Sequence, residues 1–205
     1  MFKKTLSLLL ALAMLICLLP QIPLIANAYT PGTERRSGDW TFEIGWYGDA
    51  YLKKYHGSAS NVTIPTKLGS WNINGMKAGV FTGNTTVKNI VVPNGIGSIS
   101  DEAFKGCAYI ETIKLPSNIT LGTYSTFEGC TKLKSVNLPN NLEEIGYHMF
   151  RFCSSLTSLT LPSSVGSIET YAFYGCTSLT SLHLGKWVDS IEVAFISFRT
   201  RKRLP

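Results

Sequence analysis

The chain has 205 residues, of which 44% are hydrophobic and 16% charged, and it carries a formal net charge of +6. Lys3 and Lys4 near the start and four basic residues within 196–205 account for that charge, so the region between them is neutral. Because the body is neutral, the basic balance of the whole chain is not evidence of a nucleic-acid surface. The length is sufficient for one domain.

Residues 1–28 have the composition of a secretory signal peptide. Lys3 and Lys4 precede an apolar run over residues 8–19, and Ala-Asn-Ala at residues 26–28 has the small-residue pattern of a cleavage site. The alternative is a membrane-spanning anchor, but two prolines interrupt the run and no stop-transfer pattern follows. We therefore expect secretion to the extracellular space or the cell surface, with no stable membrane anchor after cleavage.

Residues 29–60 are expected to form a linker and an N-terminal β-hairpin cap. The segment 29–39 is polar and without periodicity, which is typical of a linker or a frayed start. Apolar and polar residues then alternate over Trp40–Trp46, and after a Gly-Asp turn the segment Ala50–Tyr55 is the expected partner strand. The aromatic residues of this hairpin are Trp40, Phe42, Trp46 and Tyr55. We interpret them as the packing of a cap; the alternative is an exposed carbohydrate-binding platform.

A repeat of 23 residues organises the chain over residues 61–195. Its most regular columns are Cys107, Cys130, Cys153 and Cys176; Pro93, Pro116, Pro139 and Pro162; and Phe104, Phe127, Phe150 and Phe173. Each unit reads C-x-x-L-x-x-L-x-L-P-x-x-V-x-x-I-x-x-x-A-F-x-G, as between Cys153 and Gly175. A period of about 20–29 residues that contains L-x-x-L-x-L is typical of leucine-rich repeats.

The register held over several units resembles the BspA-like leucine-rich repeats of bacterial surface and secreted proteins. The resemblance implies a leucine-rich-repeat solenoid, a β-rich form of the α/β horseshoe, with a hairpin before the first coil. It also implies a protein that acts in adhesion and interaction.

About six short strands are expected in one parallel ladder. Leu159 and Leu161 alternate with Ser158 and Thr160, which is the period of a half-buried strand, and the proline that follows ends the strand because it has no N–H to donate. The equivalent strands are Val62–Ile64, Ile90–Val92, Ile113–Leu115, Val136–Leu138, Leu159–Leu161 and Leu182–Leu184. After each strand we expect an irregular or one-turn helical return, or a short extended piece, that carries the phenylalanine column inward.

Three departures from the repeat are informative. Gly122 stands where other units have isoleucine, and we expect Leu121 to compensate by a local shift. Asn84 occupies the cysteine position, and both side chains can hydrogen-bond backbone in a turn, so the column is predicted to be structural. The first coil is five residues longer, around residues 69–72. Enlarged loops often carry function, which makes Trp71 a candidate for exposure.

The four repeat cysteines are predicted to be free and buried, although cysteines of secreted proteins usually pair. Equivalent Cα atoms of neighbouring coils lie about 4.8 Å apart. Parallel Cα–Cβ bonds keep the Cβ atoms equally far apart, at or beyond the usual disulfide limit of roughly 4.5 Å.

No catalytic, metal-binding or cofactor-binding constellation is expected. The three histidines do not converge, since His56 lies in the hairpin region, His148 on a return segment and His183 on a strand. The sequence has no zinc-protease, hydrolase or phosphate-binding motif. Paired acidic residues lie on the return segments, where solvation explains them. We therefore expect that the protein is not an enzyme and holds no cofactor or metal.

The candidate ligand-binding surface is the outward face of the strand ladder. Its positions are small and polar, which suits hydrogen bonding, although a strand face toward water is polar in any case. The candidates are Asn89, Val91, Thr112, Lys114, Ser135, Asn137, Ser158, Thr160, Ser181 and His183. Such a face offers roughly 240 Å², against about 800 Å² per partner in a standard interface, so it should bind weakly by itself.

The pattern degrades near the C-terminus. Val188–Phe195 restarts a coil one residue short, and residues 196–205 form a basic off-pattern tail that is either solvated or binds an acidic surface. An uncapped last coil predicts weak self-association.

Two functions follow from these features. The first is a secreted bacterial protein that binds an extracellular protein or a surface glycan through the ladder. The second is a truncated or vestigial repeat fragment that lacks its anchor or partner domain. An enzyme and a nucleic-acid partner are disfavoured.

Overall fold

The computed structural model describes residues 30–185, 188 and 190–191, and in these ranges the chain forms sixteen short β-strands and no helix. The predicted signal peptide, residues 1–28, and the predicted basic tail, residues 196–205, lie outside the described residues. So does most of the segment 187–195 on which the expected self-association depends, and that prediction stays untested.

A three-stranded antiparallel sheet precedes the first coil. Its strands are β1 (Glu34–Ser37), β2 (Trp40–Ile44) and β3 (Ala50–Tyr55). Strands β2 and β3 form the predicted hairpin. The expectation of a linker over residues 29–39 is wrong for Glu34–Ser37. These residues form β1, because a tight turn at Gly38 (φ +54°) folds the segment back onto β2. Strand β3 joins the repeats by pairing in parallel with β6 (Trp71–Met76).

Six parallel strands form what we call the front ladder. They are β4 (Asn61–Thr63), β7 (Asn89–Val91), β9 (Thr112–Lys114), β11 (Ser135–Val136), β13 (Ser158–Thr160) and β15 (Ser181–His183). Equivalent residues lie side by side, as Ile90 beside Ile113. The predicted parallel strands are confirmed, but each ends before the predicted last residue. In the first five strands a proline follows that residue and cannot continue the ladder.

A second row of parallel strands, the back ladder, occupies the return segments. It contains β6, β8 (Ser98–Ile99), β10 (Thr120–Leu121), β12 (Glu144–Ile145), β14 (Ser167–Ile168) and β16 (Ser190–Ile191). The returns are therefore short extended pieces and turns, and the one-turn helices offered as an alternative do not occur in the described coils. In the enlarged first coil, β5 (Lys67–Leu68) forms a hairpin with β6.

Two columns of identical residues fill the core between the ladders. The predicted phenylalanine column is buried and begins one coil earlier than expected, at Phe81; its ring centroids are 5.2–5.7 Å apart. Beside it, the four described cysteines are buried and free, as predicted. Each thiol donates a hydrogen bond to a phenylalanine carbonyl of the preceding coil, at Sγ–O distances of 2.8–3.2 Å.

The stack contains a one-residue slip at its centre. Strand β10 begins eight residues after β9, whereas β8, β12, β14 and β16 each begin nine residues after the preceding front strand. Leu121 pairs with Ile99, which confirms the predicted local shift. Strands β10 and β12 belong to different sheets, as do β11 and β13, so both ladders are interrupted in this region.

Candidate functional site

The first half of the front ladder presents a hydrogen-bonded row of side chains to solvent. Asn89 Nδ2 donates to Asn61 Oδ1 at 2.7 Å, and Thr112 Oγ1 donates to Asn89 Oδ1 at 2.6 Å. Val91 lies beside Lys114 in the register, and both are exposed. The predicted positions Asn89, Val91, Thr112, Lys114 and Ser135 therefore form one patch with partly fixed side chains.

Asn137 has a different role from its neighbours. Its side-chain amide donates to Leu115 O at 2.7 Å and accepts from Leu115 N at 3.1 Å. These bonds replace the ladder bonds that Leu115 would otherwise make, because β11 ends at Val136. Asn137 was predicted to face a ligand, but its amide is engaged in closing a gap in the ladder.

The second half of the front ladder is a separate two-stranded sheet. Ser158 lies beside Ser181 and Thr160 beside His183 in the register of β13 and β15. Ser181 Oγ and His183 Nδ1 are 3.5 Å apart. Because β11 and β13 are not paired, the ten predicted residues lie on two separate hydrogen-bonded sheets instead of one continuous ladder.

Exposed aromatic side chains cluster on the turns that follow the back ladder. We call the connected set Tyr124, His148, Tyr171, Tyr174 and Phe152 the aromatic strip. Successive ring centroids along it are 6.2, 5.7, 5.6 and 5.6 Å apart. The strip was missed in the sequence because each ring sits at a variable position of the repeat. One signal was available: Phe152 replaces the glycine of the A-F-x-G motif.

Ion pairs join the turns of neighbouring coils from Glu102 to Arg151, which adjoins the aromatic strip at Phe152. Lys105 Nζ lies 2.7 Å from Glu102 Oε1 and 3.5 Å from Glu128 Oε2. Arg151 Nη1 lies 3.0 Å from Glu128 Oε1, and its guanidinium carbon lies 4.6 Å from the centre of the Phe152 ring. The outer surface of the turns thus changes from paired charges to aromatic rings along the stack.

Two cavities accompany the irregular parts of the chain. One of about 680 Å³ opens at the slip, between Leu121, Asn141 and Glu144. The other, of about 410 Å³, lies between β1 and the enlarged first coil. Trp71 is half-buried there against the core, with the guanidinium of Arg35 5.7 Å from its ring centre. The expected exposure of Trp71 is therefore only partial.

The cap aromatic residues divide between burial and exposure. Trp40, Phe42 and Tyr55 are buried, as the interpretation of cap packing requires, whereas Trp46 is 82% exposed on the hairpin turn.

The described residues give no support for metal binding or for nucleophilic catalysis by cysteine. They contain no group of three or more histidine, cysteine or acidic residues that could hold a metal ion. Burial raises the pKa of Cys107 and Cys176 to about 12, so these thiols are poor nucleophiles. No helix long and apolar enough to cross a membrane occurs in the same part of the chain.

Comparison with known proteins identifies the repeat. Residues 74–200 match a family model described as a BspA-type leucine-rich repeat region, in six copies. No curated protein matches the sequence.

Several solved structures share the fold. A leucine-rich repeat protein of T. pallidum is 25% identical with a TM-score of 0.67, over 74% of this chain and 72% of that one. One from Bacteroides ovatus is 26% identical with a TM-score of 0.65, over 73% of this chain and 41% of that one. A leucine-rich cell surface protein from Faecalibacterium prausnitzii is 22% identical with a TM-score of 0.66, over 81% and 46%. The chain thus spans less than half the length of the last two proteins.

Proposed function

Because the chain belongs to the BspA-type leucine-rich repeat family, we propose that it is a secreted, non-catalytic binding protein of a bacterium. The proposed partner is an extracellular protein or a surface glycan, and the contact surface is the front ladder. The composition of residues 1–28 supports secretion. The relative from Faecalibacterium prausnitzii is described as a cell surface protein, which agrees with this location.

The observation that carries the proposal is the in-register row of polar side chains. The hydrogen bonds from Thr112 to Asn89 and from Asn89 to Asn61 fix these side chains before any partner arrives. Fixed donors and acceptors lose less conformational entropy on binding, which raises affinity for a given area. The small size of each patch favours weak contacts that several copies strengthen together.

The test measures binding of the chain from residue 29 onward to arrays of extracellular matrix proteins and purified cell-wall glycans. Lys114→Glu, Thr160→Glu and His183→Glu should abolish the binding seen with the parent, with circular dichroism and melting unchanged, since these side chains are exposed. Asn137 is left intact because its amide supports the ladder.

The matched control replaces Glu102, Glu144 and Glu169, which lie on the turns and the back ladder. Loss of binding in that control alone would move the site away from the front ladder. The alternative function, a structural repeat fragment, predicts no binding to either array.

A further inference from the structure

Solvent-exposed aromatic rings are concentrated on the aromatic strip. Tyr124, Tyr171, Phe152 and Tyr174 are 46%, 41%, 40% and 39% exposed. Tyr147, at the repeat position of Tyr124, is 51% exposed beside them. Tyrosine is enriched in binding surfaces because it offers a rigid apolar ring and a polar tip.

Phe152 belongs to this strip although its backbone conformation favours glycine. Its φ is +61°, and the same repeat position holds Gly106, Gly129 and Gly175 with φ of +72°, +75° and +78°. A bulky side chain in the left-handed region is strained, and strained residues cluster at functional sites. The ring of Phe152 contacts Tyr174 and Arg151, and it is 40% exposed. The chain therefore carries an exposed aromatic ring at a strained position where other repeats have glycine.

The backbone under the strip is already paired within the stack. Phe152 N donates to Tyr174 O at 2.7 Å, and Ser125 N donates to Tyr147 O at 3.0 Å. These bonds leave no strand edge here for a partner strand to extend. A ligand must therefore contact the rings and their hydroxyl groups.

Area argues against a folded partner or a second copy. A fully buried aromatic side chain covers roughly 150–250 Å², so rings of this exposure offer on the order of 400 Å² together. A stable interface needs about 800 Å² per partner. A thin, extended ligand fits the available surface better.

Charge and ring geometry narrow the ligand class. Arg151 is already paired with Glu128 at 3.0 Å, so the strip carries no strong unpaired charge for an ionic ligand. Tyr171 and Tyr174 meet at 90°, and Phe152 and Tyr174 at 71°, so these rings do not form one flat platform for stacked sugar rings. A polyproline II peptide offers proline rings that can pack on differently oriented aromatic rings, and its carbonyls are free for tyrosine hydroxyls because it has no internal hydrogen bonds.

We propose that the aromatic strip binds extended, proline-rich peptide segments in the polyproline II conformation. Aromatic-lined grooves recognise such segments because the helix is formed before binding and loses little entropy. This surface is distinct from the front ladder, and the proposal does not rest on ligand binding there.

The experiment titrates the chain from residue 29 onward with a fluorescent polyproline peptide and, in parallel, with a neutral glucose oligosaccharide. Binding of the peptide is expected, and Tyr171→Ala and Phe152→Gly should each weaken it about tenfold or more, as for aromatic residues at the centre of an interface. Phe152→Gly restores the glycine of the repeat, so its melting temperature should be unchanged or higher. That result separates lost recognition from lost folding.

Two controls isolate the strip. Tyr47→Ala removes a ring that is 98% exposed on the cap hairpin and should leave peptide binding unchanged. The Lys114, Thr160 and His183 variants should also leave it unchanged, so the two proposals can fail separately. Absence of peptide binding, or binding insensitive to Phe152→Gly and Tyr171→Ala, overturns the proposal. Binding of the oligosaccharide alone, or dimerisation lost in Phe152→Gly, would instead assign the strip to a glycan or to a second copy.

Discussion

At the scale of single residues, the cysteine column shows how one contact repeats through the fold. Each described thiol is buried and donates to a carbonyl of the preceding coil, as Cys153 does to Phe127 O at 3.1 Å. Burial raises the pKa of Cys107 and Cys176 to about 12 from an ordinary value of 9.0, and it raises the pKa of Cys130 and Cys153 well above that value. The folded chain therefore holds these thiols protonated where the unfolded chain ionises them.

The first prediction is a loss of stability above pH 9. Below the unfolded pKa the contribution of the thiols is fully present, and it is lost between about pH 9 and 12 because only the unfolded state releases the protons. In this range, each thiol lowers the free energy of unfolding by up to about 1.4 kcal/mol for each pH unit. Urea unfolding at pH 8, 9 and 10 should give a shallower loss for Cys153→Ser than for the parent. Equal slopes would mean that the thiol of Cys153 ionises in the folded chain.

The identical columns could be predicted from the sequence, and the role of Asn137 could not. A cysteine or phenylalanine that recurs every 23 residues must meet the same environment in each coil, so its burial follows from the period. Asn137 alternates with apolar neighbours like any outward residue. Its amide turns to Leu115 only because β11 ends early, and that local deficit of backbone hydrogen bonds has no signature in the repeat.

At the scale of elements, the central slip explains why the ladders are interrupted. In the coil of β10 the inward residue comes one position early, at Leu121, and one residue more must fit between it and Phe127. Gly122 fills the crowded position: a Cβ there would lie 2.4 Å from Asp101 N. The backbone is displaced from β12, and the cavity of about 680 Å³ opens between them.

The second prediction concerns repair of this slip. The double variant Leu121→Ser with Gly122→Ile restores the spacing of the other coils and should join β10 to β12. Each recovered backbone hydrogen bond contributes about 0.5–1.5 kcal/mol, so the free energy of unfolding in urea should rise. Gly122→Ile alone should lower it by about 1–3 kcal/mol, because the new side chain meets Asp101. If both variants lose stability equally, the slip is not what separates the ladders.

The conformation of the return segments could not be predicted from the apolar spacing of a single coil. Ile99, Ile145 and Ile168 follow an apolar residue three positions earlier, and that spacing suits a turn of helix as well as a short extended piece. The structure has two-residue strands because pairing between coils satisfies the backbone, as where Ile145 lies beside Ile168. Because pairing with neighbouring coils decides between a helical turn and an extended piece, the sequence of one coil cannot predict which forms. Phe152 is a related case, since its strain depends on the left-handed turn that its neighbours impose.

At the scale of the whole stack, each coil is stabilised by the coils on either side, so the exposed ends decide where unfolding begins. The N-terminal end is covered by the cap, which continues the phenylalanine column with two further rings. Tyr55 lies 5.1 Å and Trp40 5.7 Å from the centre of the Phe81 ring, and Trp40 and Tyr55 are 4.7 Å apart. The cap thus supplies the first coil with the aromatic neighbour that every later coil has.

The third prediction follows from this arrangement and uses two tryptophans of one strand-and-turn segment. Trp40 is 8% exposed and Trp46 82% exposed. Trp40→Ala should lower the free energy of unfolding by about 3–5 kcal/mol, as for other buried aromatic truncations, whereas Trp46→Ala should change it by less than about 0.5 kcal/mol. Hydrogen exchange should then show the largest loss of protection in Trp40→Ala at β4 and β7, with smaller losses at β13 and β15, because each coil contacts only its neighbours. A uniform loss of protection through all coils would contradict nearest-neighbour coupling and indicate that the repeats unfold as one cooperative unit.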